Sequence, residues 1–415
     1  MIDKLTILGG SSVYVPEFVH SLISHNLLPK ELVLFGREGK KLDIVSDFCS
    51  RIVRKSGYPG TIIPSTDLEE AATDAKYILN HIRVGGMAAR VRDEKLPPTM
   101  GMIGDESLGA GGIANALRTL PIVIDYVERI EKVNPGATFI NLTNPMGTIV
   151  EALVKHSGLK IIGTCDLPGT YVRKVAHLLG IPEKELFIDF IGLNHMGWIQ
   201  SVRHGKRNIM YNVLDLIHRQ KPDDFDHELI ELFRMIPTRT VSLYFHADRI
   251  LKQQKNTGTF RGEILYEAEK QILKAYADPH LNEIPTLTRE RYTPWYEQTL
   301  IPLLSALENK DKETLILCVQ NNGAIRDLPD DCSVEVPVEL NNKTLVPRHV
   351  GDSPHFLKGL FQTVKESDRW IVEAVLHKSY EYALQALTIN PLVPSLETAR
   401  NFLDKFVESE EIELH

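Results

Sequence analysis

The 415-residue sequence predicts an α/β protein, with a Rossmann-type, doubly wound parallel sheet over residues 1–165 and a mixed, helix-rich α/β catalytic domain over residues 166–415. Three observations predict it. Short β-branched runs alternate with stretches of helical period up to residue 165. A glycine turn joins the first run to the first helix. Beyond residue 165 helices dominate and strands become sparse.

The runs LTILG from Leu5, LVLFG from Leu32, TIIPS from Thr61, YILNHI from Tyr77, ATFINL from Ala137 and KIIGT from Lys160 are short, apolar and bounded by turn residues, so they read as strands. Between them PEFVHSLISHNL, GKKLDIVSDFCSRIVRK and GIANALRTLPIVIDYVERIEK repeat their apolar residues at helical spacing. This alternation calls for parallel strands with helical crossovers. In the second half LFIDFIGL and SVEVPVEL read as strands among helices, and the polar, irregular segment 219–237 is expected to be mobile. The boundary near Cys165 is soft, because candidate ligands come from both sides of it.

Hydrophobic residues make up 43% and charged residues 25% of a chain with formal net charge −8, an ordinary globular mixture that argues against nucleic-acid and membrane-surface partners. A local basic pocket for an anionic small molecule stays open. Four cysteines are too sparse for a disulfide framework, so a reducing compartment is expected. With no cationic-then-apolar leader and no membrane-length apolar run, the expected location is the cytoplasm.

Gly9, Gly10, Ser11 and Ser12 follow the first strand and precede a helix near Pro16. Such a turn lets the backbone approach a pyrophosphate at a helix N-terminus. It departs from G-x-G-x-x-G, but within the alternating pattern a dinucleotide is the better reading than an unliganded turn. The second strand of this fold normally ends in an acid that holds the ribose hydroxyls. Here Gly36 takes that place and Arg37 follows. Arg37 is either a solvated surface residue or a partner for a 2′-phosphate, so NADP stays open beside NAD.

Cys165 ends the strand KIIGT, and His195 lies in Gly192-Leu193-Asn194-His195. Thiolate plus imidazole suits a borderline divalent metal with positions left for substrate. On spacing alone, a small core cysteine and a hydrogen-bonded histidine are the commoner outcome.

The surrounding segments bear on that choice. They are Arg83-Val84-Gly85-Gly86 with Arg90, Asp93 and Glu94; Gly104-Asp105-Glu106-Ser107 with Gly109, Gly111 and Gly112; Asn141-Leu142-Thr143-Asn144-Pro145; Cys165-Asp166-Leu167-Pro168; Gly192-Leu193-Asn194-His195; and Asn321-Asn322-Gly323-Ala324-Ile325. Taken together and in this order, the chain resembles glycoside hydrolase family 4, the NAD- and metal-dependent glycosidases. The resemblance implies NAD, with Mn²⁺ or another divalent metal on Cys165 and His195. It also implies a homodimer or homotetramer. Its chemistry is transient oxidation at C3 of the sugar, loss of the acidified C2 proton to a base, departure of the leaving group from C1, addition of water and re-reduction.

The resemblance also places Arg83 and Arg261 near the sugar, and many family members take 6-phosphosugars. Arginine's fork suits phosphate. For Arg90 and Arg92, pairing with neighbouring acids is the better reading. Asn144 and Asn194 join the candidate substrate contacts, since buried amides need matched partners, and Glu106 joins them from its family segment. The glycines at 109–112 are expected to shape backbone rather than bind phosphate alone. Asp166 resembles the 6-phospho-α-glucosidase branch, where it is a candidate general acid, while the phospho-β-glucosidase branch usually has asparagine. Its other reading is a helix N-cap. The family's base tyrosine aligns with Thr240, which leaves Tyr244 after a local shift, His246, a metal-bound hydroxide, or no base at all. The rival functions are a 6-phospho-β-glucosidase, a plain NAD(P)-dependent dehydrogenase, and a non-catalytic sugar-phosphate or dinucleotide sensor.

Overall fold

The computed structural model describes residues 2–37, 39–291, 296–308, 312–341, 344–410 and 412–415; Glu38, next to Arg37, lies outside them. The six runs expected as strands form β1 (Lys4–Leu8), β2 (Glu31–Phe35), β3 (Thr61–Ser65), β4 (Tyr77–Asn80), β5 (Thr138–Asn141) and β6 (Lys160–Gly163). They pair in parallel in the order β3-β2-β1-β4-β5-β6, the dinucleotide-binding order whose direction reverses between β1 and β4. Strict alternation divides them between two cores. Leu5, Ile7, Leu32 and Leu34 pack on one face with the helices Val15–Ser24 and Lys40–Ser56. Leu8, Val33, Phe35 and Ile78 pack on the other with the helices Gly109–Val133 and Met146–His156. Burial on both faces is why these runs are almost wholly apolar.

The second half adds β7 (Leu186–Leu193), β8 (Met196–His204), β9 (Arg207–Asn208), β10 (Ile236–Pro237), β11 (Glu313–Gln320), β12 (Ser333–Asn341) and β13 (Thr344–Pro347). These strands pair antiparallel and extend the same sheet, with β11 joining β6 at Cys318 opposite Gly163. A Cβ on Gly163 would lie 2.9 Å from the Cβ of Cys318, so glycine permits that junction. One sheet therefore runs through residue 165.

The segment 219–237 is not irregular throughout. It holds the helix His227–Phe233, capped by Asp226 through Leu229 N–H at 3.1 Å, and β10, which pairs with Trp198 and Ile199 of β8. Leu229, Ile230 and Ile236 are buried there. A few well-spaced apolar anchors outweigh the polar average of the segment.

Helix His355–His377 is tied to the sheet by a buried ion cluster. The Lys365 ammonium, 2% exposed, donates to Glu151 at 2.9 Å and to the Ser333 hydroxyl at 2.8 Å, and pairs with Asp368 at 2.9 Å. Arg369 meets the other oxygen of Glu151 at 3.2 Å. Removing one partner strands buried charge. Lys365→Met is expected to cost about 3–5 kcal/mol in urea denaturation. Loss of the fully solvated Lys30–Asp3 pair should leave the midpoint almost unmoved. Equal midpoints for the two variants would refute this assignment.

Candidate active site

The loops that leave the C-terminal ends of β1, β4 and β5 converge at the strand-order reversal, where this fold opens a crevice. Gly9, Ser11, Ser12, Arg37, Arg83, Glu106 and Asn144 line one cleft there, with His81 and Asn115. The turn is held by Gly9 and Gly10 N–H, which donate to Phe35 O at 3.0 and 2.8 Å. A Cβ on Gly10 would lie 2.7 Å from the Leu34 backbone, which explains that glycine by packing alone. The helix Val15–Ser24 points its N-terminus at the cleft, and its N-cap residue Tyr14 makes no side-chain cap bond. An uncapped N-terminus beside a glycine turn fits a dinucleotide pyrophosphate.

The floor of the cleft is a charge cluster. Glu106 receives Arg83 on one oxygen and Arg90 on the other, the latter at 2.8 Å; Arg90 also reaches Glu94 at 2.8 Å. Arg90 is therefore paired as expected. Arg92 is paired too, but with Glu410, at 2.7 Å and 318 positions away. Gly104 is clamped by Gln254 at 2.9 and 2.8 Å, and a Cβ on it would collide with Glu94 O at 1.8 Å. A Cβ on Gly111 would approach Asp105 O and Asp93 O to 2.3 Å. These glycines press the helix Gly109–Val133 against the loop that presents Glu106. Burial pushes the Asp105 carboxyl up to about 6, against its bonds from Ser107 and Leu108 N–H. Arg261 stands apart from the cleft lining, exposed in the first turn of the helix Arg261–Tyr276; Gly262 N–H beside it donates to Glu94 at 2.6 Å.

Cys165, Asp166, Asn194 and His195 form a second group. Cys165 is the N-cap of the helix Asp166–Leu179 and makes no side-chain cap bond. Asp166 is thus the first helical residue rather than the cap, and its carboxylate receives the Cys165 thiol at 3.8 Å. Asn194 donates to Glu335 at 3.0 Å. His195 has φ +62°, and its Nδ1 is buried with no hydrogen-bond partner among the described residues. Burial lowers its pKa to about 4, against the opposing fields of Asp166 and Glu106, so the ring is neutral at pH 7. Those same fields place His195 within electrostatic reach of the cleft. A buried, neutral, unpartnered imidazole nitrogen and a neighbouring thiol fit a divalent metal's donor set. Among the described residues no group of three or more His, Cys, Asp or Glu could hold a metal ion. A metal on Cys165 and His195 would therefore keep positions open for substrate.

In the base segment, the Thr240 hydroxyl donates to His195 O at 2.6 Å, and His246 is held by Asp226 at 3.0 Å. Tyr244 feels the charges of Asp368 and Asp105, which add to burial in pushing its phenol up.

Three residues escaped the sequence reading. Asn115 donates to both Glu106 O and Asn144 O at 3.0 Å, joining two cleft loops. Glu335 is buried in β12, and burial pushes its carboxyl up to about 8. Asp368 lies beside Asn194 across Gly147. Glu335 alone left a signal, an acid flanked by Val334 and Val336 within a strand.

The chain matches the model of family 4 glycosyl hydrolases over residues 4–181 and that of the family's C-terminal domain over residues 190–393. It is 33% identical over 423 residues to a "Probable 6-phospho-beta-glucosidase" of Bacillus subtilis, across 98% of this chain and 96% of that protein. The 6-phospho-beta glucosidase from Thermotoga maritima, solved with manganese, NAD⁺ and glucose-6-phosphate, superposes with a TM-score of 0.90 at 30% identity over 100% of both chains. A 6-phospho-alpha-glucosidase from gut microorganisms, in complex with NAD and Mn²⁺, superposes at 0.89 with 26% identity, again over 100% of both. Carrying the dinucleotide-type cleft and matched along nearly its whole length, this chain belongs to glycosyl hydrolase family 4.

Proposed function

We propose that this chain hydrolyses 6-phosphoglucosides with NAD and a divalent metal, through oxidation at C3, loss of the C2 proton, departure from C1, water addition and re-reduction. The observation that carries this reading is the continuity of the cleft. It runs from the glycine turn at Gly9 to the Arg83–Glu106 pair, and Glu106 lies within electrostatic reach of His195, whose Nδ1 has no hydrogen-bond partner among the described residues. The relatives named above supply the cofactors and the phosphorylated substrate class.

When bound, the dinucleotide supplies a hydride acceptor and the metal a Lewis acid. The remaining work falls to the chain's own groups. Cys165 and His195 hold the metal. Asn144 and Asn194 orient sugar hydroxyls, and Glu335 fixes the Asn194 amide. Arg83 and Arg261 bind the substrate's anionic end. Asp166 gives its proton to the leaving oxygen, and Tyr244 takes the C2 proton. The reading extends to a cytoplasmic homodimer or homotetramer, as the family resemblance implies.

An α anomer is preferred because Asp166 is an acid that does not cap its helix. A β reading is favoured by relatives, at 33% and 30% identity against 28% for a 6-phospho-alpha-glucosidase of Leptotrichia buccalis. Paired assays on nitrophenyl α- and β-glucoside 6-phosphates, with NAD and Mn²⁺, separate the two. Wild type should prefer the α substrate, and Asp166→Asn should lower α turnover by about 10²–10⁴-fold, the usual worth of a positioned acid. A wild-type preference for β with an indifferent Asp166→Asn would overturn the α reading. No cleavage of either substrate would overturn the function.

A further inference from the structure

The adenosine end of the cleft differs from the usual dinucleotide site in its charges. Gly9 and Gly10 N–H bind Phe35 O, so the end of β2 is stitched to the glycine turn. The next residue, Gly36, donates to Ser65 O at 3.1 Å, and a Cβ on it would lie 3.6 Å from the Cβ of Ser11. In this fold the side chain at that point is an acid that receives the ribose hydroxyls and repels a 2′-phosphate. Gly36 presents neither function.

Arg37 follows, exposed, and lines the same cleft as Gly9, Ser11 and Ser12. It has no ion-pair partner among the described residues. The other cation at this end, Lys41, is spent on Glu269, the one acid besides Glu106 in the cleft lining. Lys41 thereby also neutralises the carboxylate that would oppose an incoming phosphate. Tyr126 packs edge-on against Phe35, the last residue of β2, with ring centroids 5.6 Å apart. A guanidinium without a carboxylate partner, where a carboxylate is normally found, matches a phosphate monoester by charge and by its fork of donors.

We propose that Arg37, with the acid missing at Gly36, makes this end of the cleft a 2′-phosphate acceptor, so that the chain binds NADP at least as tightly as NAD. This selectivity presupposes that the cleft holds a dinucleotide, as proposed above.

Calorimetric titration of the full chain with NADP⁺ and with NAD⁺, at fixed ionic strength and without substrate, tests it. Wild type should bind NADP⁺ no more weakly than NAD⁺, and 2′,5′-ADP should compete. Arg37→Ala should weaken NADP⁺ by about 10–100-fold, the worth of a lost charge-assisted contact, while NAD⁺ shifts by less than ~3-fold. Gly36→Asp should reverse the preference; its Cβ would sit 3.3 Å from the tip of Leu42 and in ordinary contact with Ser11. Glu38→Gln, at the next acid along the chain, should leave NAD⁺ binding unchanged. Tenfold tighter binding of NAD⁺ by wild type, equal losses of both ligands in Arg37→Ala, or loss of NAD⁺ in Glu38→Gln would each overturn the selectivity and leave the dinucleotide cleft standing. Absence of binding by either ligand would overturn both.

Discussion

Cys165→Ala and His195→Asn are each expected to lower kcat/KM by about 10³-fold or more and to weaken Mn²⁺ binding, while the folded chain keeps its thermal midpoint. The magnitude follows from a Lewis acid's several kcal/mol at about 1.4 kcal/mol per tenfold in rate. The stability claim follows from the site itself. His195 Nδ1 has no partner among the described residues, so removing it forfeits no bond of its own. Asparagine is chosen because His195 sits at φ +62°, where asparagine is comfortable and alanine is not. The Cys165 sulfur has only weak contacts, to Asp166 at 3.8 Å and with Leu167 N–H and the Asn194 amide, bonds to sulfur that a folded chain can lose at small cost. A purely structural pair would give the opposite pattern, a lowered midpoint with unchanged metal affinity. Calorimetric Mn²⁺ titration beside thermal unfolding distinguishes the two, and wild-type metal affinity in both variants would sink the assignment.

The parallel half of the sheet was legible because its code is local. Each of its six strands is a short β-branched run, and the strand-to-helix turns announce themselves through Gly9 and Gly10. The antiparallel half was harder, since its neighbours are set by pairings that no periodicity encodes. Cys318 meets Gly163 and Glu335 meets Gly192 across more than a hundred residues of chain. The same distance hid the Arg92–Glu410 pair and the Lys365 cluster, whose members come from three separate elements. Within the site, Gly9, Ser11, Ser12, Arg83, Glu106 and Asn144 do share one cleft. The segment 219–237 misled because composition averages over residues, whereas burial depends on a few of them. Asp166 carried two readings, helix cap and acid, and the structure removes the first: the helix begins at Asp166 and its cap is Cys165.

The base is the point where sequence and chemistry disagree most, and the geometry narrows the choice. Thr240 stands where the family's tyrosine aligns, yet its hydroxyl is committed to His195 O at 2.6 Å, and an alkyl hydroxyl is a poor base. His246 is occupied by Asp226 at 3.0 Å, with Glu228 at 3.7 Å from its other nitrogen. Tyr244 instead lies in the fields of Asp368, beside Asn194, and of Asp105, next to Glu106. Burial and both carboxylates push its phenol up, so it needs cationic help to ionise, which a bound divalent metal would supply. Tyr244→Phe is therefore expected to lower turnover by about 10²–10⁴-fold, the usual worth of a positioned base. Thr240→Val should act mainly through the His195 backbone it no longer anchors. Hydrolysis in D₂O reads the step directly. Wild type should leave deuterium at C2 of the released sugar, with NAD required but not consumed, and Tyr244→Phe should lose incorporation and cleavage together. Normal rates and full C2 deuterium in Tyr244→Phe would remove Tyr244 as the base. Wild-type product free of C2 deuterium, with isomerisation excluded, would refute the redox elimination itself.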